Sequence, residues 1–192
     1  MECTDTIIQE VEGLKELVSE FSRYARMASS ELKPDDLNQV VNRVLQLYAG
    51  LAKKSVIRKN LDPHLPLINL DAGQMRRALI NLVDNAIAAI RKGGLIEVST
   101  RHVPEASMIY LEVSDTGMGI SPEDKDRVFL PYFSTKKGGT GLGLAIVHRI
   151  ISEHSGRIRV EDNHPKGTRM LVEFPILAGV SAAGAAKGES HE

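Results

Sequence analysis

Three features of the chain predict an α/β fold with a mixed or antiparallel sheet. Helical apolar patterns recur along most of the 192 residues, at 6–29, 35–48, 71–90 and 143–154. Alternating runs follow one another with no helix between them, first Ile96-Val98-Thr100 and Ile109-Leu111-Val113, then 156–161 and 168–174. The hydrophobic share, 42%, is enough for one packed core and argues against global disorder.

Composition also excludes several classes. The net charge of -1 excludes a strongly basic nucleic-acid binder as the default reading. One cysteine, Cys3, excludes a disulfide framework and a cysteine-based zinc site. No apolar run reaches the ~18 residues of a membrane span. Residues 1–9 lack the basic start and apolar stretch of a signal peptide, so a cytoplasmic location is expected.

The first helix carries Ile7, Val11, Leu14, Val18, Phe21, Ala25 and Ala28, a seam stepping alternately four and three residues. A helix lying on the protein's own core would fit; the regularity at a terminus favours a bundle or a homodimer. Gly13 weakens it by about 1 kcal/mol against alanine, so it needs partners. Pro34 marks a boundary. Asp35 or Asp36 caps a second helix through Val40, Val41, Val44 and Tyr48. A short strand is expected at 56–61, before Pro63 and Pro66 break the chain. Asp71, with Gln74 three residues on, opens a third helix that Gly93-Gly94 ends. Ser121 and Pro122 start a short helix inside a glycine-rich stretch. The last strand pair turns at 163–167. The tail, 178–192, has no apolar periodicity and reads as a flexible end.

Four motifs carry chemistry. On the third helix, Asn81 and Asn85 lie four residues apart and share a face. Two asparagines are unfavourable in a helix interior, although a pair of solvated amides also fits when the motif is taken alone. An amide oxygen is a ligand suited to magnesium. Arg77, one turn earlier, could face an anion. Next, Asp115 ends a strand and by parity points inward, where a carboxylate needs donors; an amino group on a base is one. Gly117 and Gly119 allow the backbone to bend tightly and approach a flat ring, although an ordinary turn fits as well. In Phe129-Leu130-Pro131-Tyr132-Phe133-Ser134-Thr135-Lys136, aromatic rings anchor a loop from which Lys136 reaches a phosphate or solvent. Gly139, Thr140, Gly141, Leu142, Gly143 and Leu144 lead directly into a helix, an arrangement of backbone N–H groups suited to an anion. It fits neither the P-loop nor the dinucleotide pattern, and no protein-kinase motif set is present.

Order and spacing together are more specific than any single motif. They resemble the N box, first glycine box, F box and second glycine box of the histidine-kinase ATP-binding domain, in a match covering about Leu37 to Pro175. Pro131-Tyr132-Phe133-Ser134-Thr135-Lys136 looks like the nitrogen-regulation branch, and Val18 to Arg26 looks like the second helix of its dimerisation hairpin. The resemblance implies a two-layer α/β sandwich of the Bergerat type, a mixed sheet packed on helices, with an N-terminal bundle helix and a lid at about Phe129 to Gly141. It divides the chain into hairpin helix (1–33), catalytic ATP-binding domain (34–177) and tail (178–192).

Carried over residue by residue, Asn85 is expected as the magnesium ligand, with Asn81 supporting it or the phosphates. Asp115 is expected to read adenine, and Thr168, which shares inward parity with Met170, Val172 and Phe174, to complete that polar patch. Lys136 and the backbone of Gly139 to Leu144 are expected on the phosphates, with Asn81 and Lys136 as the catalytic positions. Implied cofactors are ATP and magnesium. Implied partners are a phosphoacceptor-histidine helix and a response-regulator receiver domain.

Two departures qualify the carry-over. Related ATPases place a water-activating glutamate where Asn81 stands, and an amide is no general base at neutral pH, so slow hydrolysis is expected. Asp84 is a nearby carboxylate that tempers this inference. None of the six histidines, His64, His102, His148, His154, His164 and His191, has the acceptor context, so the acceptor helix is expected before Met1. A nucleotide-gated dimerisation module and an ATPase of the mismatch-repair or gyrase kind are the alternative readings.

Overall fold

A computed structural model of the chain describes residues 11, 15, 18, 30–50, 55–136 and 139–176. Val11, Lys15 and Val18 are helical and exposed. The rest of the 6–29 helix and its dimerisation seam lie outside the described residues, as does the 178–192 tail.

Eleven elements make the described body, in the order β1 (Lys33–Asp35), α1 (Leu37–Leu47), β2 (Val56–Leu61), β3 (Ile68–Leu70), α2 (Ala72–Ala89), β4 (Leu95–Val103), β5 (Met108–Asp115), α3 (Pro122–Lys125), α4 (Gly143–Glu153), β6 (Arg157–Asp162) and β7 (Thr168–Pro175). Five strands form one mixed sheet in the order β2-β4-β5-β7-β6. β2 runs parallel to β4, because the crossover between them contains α2; the other pairs are antiparallel. The helices cover one face. Strand residues of one parity, Ile96, Val98, Ile109, Leu111, Val113, Met170, Val172 and Phe174, are buried there with Leu37, Val41, Met75, Leu79, Leu82, Ile146 and Ile150 from the helices. The opposite parity carries charge: Arg159 pairs with Glu173 at 2.8 Å, and Arg169 lies 3.4 Å from Glu112. This alternation is what a half-buried sheet requires.

A buried hydroxyl ties α1 to the sheet. Thr100 Oγ1 donates to Asn38 Oδ1 at 2.7 Å and accepts from the Asp62 N–H, while Asn38 Nδ2 donates to the Asp62 carbonyl. Asp36 caps α1 by accepting from the Asn38 and Gln39 N–H groups.

Three boundaries differ from expectation and a fourth agrees. Pro34 lies inside β1, which pairs with β3 to form a separate two-stranded sheet. Strands of three residues are too short to alternate visibly, and an edge tolerates a proline. α2 ends at Ala89 with Ile90 as an extended C-cap, so Gly93 and Gly94 turn the chain beyond the helix rather than close it. Ser121 does not cap α3 by accepting; its hydroxyl donates to Asp124 Oδ2. β4 and β5 are joined by a 3-10 turn at Pro104–Ala106, where the sequence places the turn.

The start of the body is fastened at two points. Glu31 N–H donates to Asp71 Oδ2, and Ser30 Oγ donates to Glu153 Oε2 at 2.8 Å. Asp71 also caps α2 by accepting from Gln74 N–H at 3.0 Å. Its own N–H donates to Nε2 of His154, a side chain 5% exposed, whose Nδ1 faces the Ile150 carbonyl at 2.7 Å. With Nε2 accepting, the ring donates from Nδ1. Partial burial pushes the Asp71 carboxyl up, but the N–H donors of Gln74, Glu31 and Gly73 outweigh it and hold the pKa below its ordinary value. Its folded pKa lies below the unfolded one, so its stabilisation is present above about pH 4 and lost as pH falls through the folded value. Asp71→Ala should destabilise the domain by about 1 kcal/mol at pH 7, the usual cost of an N-cap, with the difference shrinking towards pH 3. Urea unfolding of both proteins at the two pH values measures it.

Candidate functional site

The site forms where α2, the end of β5, the start of β7 and the first turn of α4 meet. α2 buries Met75, Ala78, Leu79, Leu82, Val83 and Ala86, which leaves Asn81 and Asn85 on its margin. Asn81 Nδ2 donates to the Arg77 carbonyl at 3.0 Å, so the Asn81 oxygen is turned outward. A Cβ on Gly143 would stand 3.0 Å from Asn81 Oδ1 and 3.9 Å from Asn85 Nδ2. The glycine therefore brings the first turn of α4 against both amides. Leu142, at the N-cap of α4, makes no side-chain cap bond to the helix's first N–H groups.

Lys136 reaches across to α2. Its side chain is exposed as a whole, but its ammonium group is drawn in and donates to Asn85 Oδ1 at 2.8 Å. Desolvation pushes the Lys136 pKa down, opposed by the charges of Asp115 and Asp84. Asp84 is itself held: Tyr48, at the end of α1, donates its hydroxyl to Asp84 Oδ1 at 2.8 Å. Burial, then that bond and the Asp84 charge, raise the Tyr48 pKa well above that of an ordinary phenol, so the hydroxyl stays a donor.

Asp115 is 5% exposed and Thr168 4% exposed, both at the inward positions that parity predicts. Asp115 Oδ1 accepts from Gly117 N–H at 2.7 Å and Thr168 N–H at 3.4 Å. Burial raises the Asp115 pKa; the N–H donors, the Thr168 side chain and Lys136 oppose the rise. The carboxylate is thus buried at the end of β5, with these donors offsetting part of its desolvation.

The glycines are fixed by close approach. A Cβ on Gly117 would lie 2.6 Å from the Ala89 carbonyl oxygen, which also accepts from Met118 N–H. Gly119 and Gly141 have φ of +79° and +68°. Gly141 O accepts from Tyr132 N–H, and a Cβ on Gly139 would meet Ser134 Oγ at 2.5 Å, so the second glycine segment is seated on the aromatic one. Thr140 Oγ1 accepts from Leu142 N–H. The aromatic segment is anchored by Phe129 against His148 and by Arg127 over the Phe133 ring. Arg77 contributes its carbonyl to Asn81, and Leu144 sits half-buried in the first turn of α4.

Two residues beside Asp115 went unnoticed in the sequence. Asn163 Nδ2 donates to the Asp115 carbonyl at 2.9 Å, and Gly167, with φ +122°, passes so close that a Cβ would lie 1.8 Å from that oxygen. Their only signal was a turn between two strands. Gly167→Ala should cost at least about 2 kcal/mol through backbone strain and displace Asp115; thermal unfolding and nucleotide binding together check both effects.

Residues 70–178 match the family described as histidine kinase-, DNA gyrase B-, and HSP90-like ATPase. The chain belongs to that family. It is 35% identical over 170 residues to the sensor histidine kinase ZraS of Escherichia coli (strain K12), covering 88% of this chain and 36% of the relative. It is 35% identical over 187 residues to the sensory histidine kinase/phosphatase NtrB of Vibrio alginolyticus, covering 92% of this chain and 53% of the relative. Full-length ShkA, solved in complex with AMPPNP, superposes with a TM-score of 0.75 at 28% identity, covering 91% of this chain and 38% of that one. The fold is that of a histidine-kinase catalytic domain, and the chain spans between about a third and a half of these two curated relatives.

Proposed function

We propose that this chain is the catalytic ATP-binding part of a two-component sensor histidine kinase of the nitrogen-regulation type. The convergence of Asn81, Asn85, Lys136, Asp115 and the glycine segment on one site supports this most directly. Asp115 accepts from the adenine amino group, aided by Thr168. Gly117 and Gly119 keep side chains off the ring. Lys136 and the N–H groups of the Gly139–Leu144 segment hold the phosphates, with Arg77 at the margin.

The residues also fit magnesium. Among the described residues no group of three or more His, Cys, Asp or Glu gathers to hold a metal, but Asn85 Oδ1 already faces a cation. Asn85 would hold the ion, which when bound neutralises phosphate charge. Lys136 and the backbone amides supply the remaining neutralisation, and positioning carries most of the rate. In the transfer, an imidazole nitrogen bonds to the γ-phosphorus while the bond to the β–γ bridging oxygen breaks, and ADP leaves with the electron pair.

The acceptor is a histidine on a hairpin helix, since none of the chain's own six has the acceptor context. A response-regulator receiver domain takes the phosphoryl group onward, and residues 1–33 supply one hairpin helix and a homodimer contact. No helix among the described residues is long and apolar enough to cross a membrane; the proposed site of action is the cytoplasm. Because Asn81 cannot serve as a base, hydrolysis in the chain alone should be slow.

Mixing the chain with labelled ATP and a hairpin bearing the acceptor histidine tests the proposal. Acid-labile phosphohistidine is the expected product. Tight nucleotide binding without that product would overturn the transfer, and a fast magnesium-dependent ATPase would favour the hydrolytic branch of the family.

A further inference from the structure

The Asn163 side chain reaches out of its own turn. An asparagine in a turn usually bonds backbone a residue or two along the chain. The turn between β6 and β7 is closed by backbone alone, from Asn163 N–H to the Gly167 carbonyl at 3.1 Å. The side-chain Nδ2 donates instead to the Asp115 carbonyl at 2.9 Å, 48 positions earlier in the chain.

That bond falls where the strand ladder stops. The last pair of β5 with β7 is Ser114 with Arg169. One residue on, Thr168 gives its N–H to the Asp115 carboxylate, and the Asp115 carbonyl takes its donor from Asn163. The N–H of the same peptide group, on Thr116, donates to the Leu95 carbonyl of β4 at 3.1 Å. The Asp115–Thr116 peptide is thus pinned on both edges, by β4 on one and by Asn163 on the other. Its tilt sets what lies on either side of it. On one side is the Asp115 carboxylate; on the other is Gly117, whose N–H donates to Asp115 Oδ1 at 2.7 Å. A peptide free to rock would carry carboxylate and donor out of line, and a hydrogen bond weakens steeply with misalignment.

We propose that Asn163 is a positioning residue for base selection: by holding the Asp115 carbonyl, it aims the Asp115 carboxylate at the exocyclic amino group of adenine. This rests on the adenine reading of Asp115. Asn163 acts through Asp115 and not on the nucleotide itself, so its effect is confined to ligands that offer the amino group. The turn has a second tether, which supplies a control. Lys125 of α3 pairs with Asp162 at 2.6 Å, next to Asn163 in the chain, and steadies the same turn through a surface ion pair.

Affinities for ATP and for purine riboside triphosphate, which carries hydrogen in place of the amino group, are measured by calorimetry on the whole chain with millimolar magnesium. The wild type should prefer ATP. In Asn163→Ala that preference should shrink about threefold or more, through weaker ATP binding alone. Asn163→Asp keeps the shape, loses the donor and adds a charge felt by both triphosphates, so its preference should shrink as much. Lys125→Ala should keep the wild-type preference within about twofold. Equal losses for both triphosphates, an unchanged preference, or the same shrinkage in Lys125→Ala would reduce Asn163 to general support of the turn and overturn the proposal. Loss of cooperative urea unfolding in both Asn163 variants would make the residue part of the fold alone, and would overturn it too. A wild type that binds both triphosphates equally well would instead overturn the adenine reading of Asp115.

Discussion

Asp115→Asn should lower ATP affinity by about 10- to 100-fold, the range expected for hydrogen bonds to a charged group, while leaving the empty domain as stable as the wild type or more so. The two effects have one origin. The carboxylate is 5% exposed, and burial raises its pKa against the opposing N–H donors of Gly117 and Thr168. An acid whose folded pKa exceeds its unfolded one costs stability above that window and recovers it as pH falls. The asparagine carries no such charge, so its advantage in thermal midpoint should be present at pH 7 and vanish near pH 3. Its amide oxygen still accepts from Gly117, but its NH2 group opposes an adenine amino group donor to donor. Isothermal titration with ATP and with GTP measures the loss and its base selectivity. Unchanged ATP affinity would remove Asp115 from the adenine contact, whatever the stability result.

Asn85→Ala should separate metal-dependent from metal-free binding. With magnesium, affinity for a non-hydrolysable ATP analogue is expected to fall about 10- to 100-fold; with EDTA it should change less than about threefold. The amide oxygen accepts from the Lys136 ammonium, so its removal deprives a cation rather than a phosphate. Equal losses under both conditions would assign Asn85 to the phosphates instead. α2 should survive the change, because Asn85 lies off the buried stripe and alanine is the better helix former.

Both residues were legible in the chain because each contradicts its local setting. Asn81 and Asn85 interrupt a strongly periodic helix, and Asp115 continues an apolar parity with a charge. Thr168 followed from the same parity on β7. The long periodic elements were legible too, since alternation and helical spacing accumulate over eight to eighteen residues in β5, β7 and α2. The pairing of β1 with β3 was not, because three residues carry no period. Nor were the neighbours of Asp115 on the far side of the turn. Gly167 and Asn163 act through backbone approach and a long-range amide bond, and no spacing rule links them to a residue 48 or more positions earlier. Tyr48 escaped for the same reason: it ends α1 as an ordinary amphipathic residue, and only packing of α1 on α2 brings its hydroxyl to Asp84.

The fastening at residues 30 and 31 has a mechanical meaning. Glu31 is bonded to the residue that begins α2, and Ser30 to the residue that ends α4, while His154 joins those two helix ends to each other. α2 carries Asn81 and Asn85 and α4 begins at the Gly139–Leu144 segment, so the N-terminal chain is bonded to both helices that meet at the site. Through the Asp71–His154 bond the N-terminal chain, the start of α2 and the end of α4 are held as one junction, apart from the Asn81–Gly143 approach at the site.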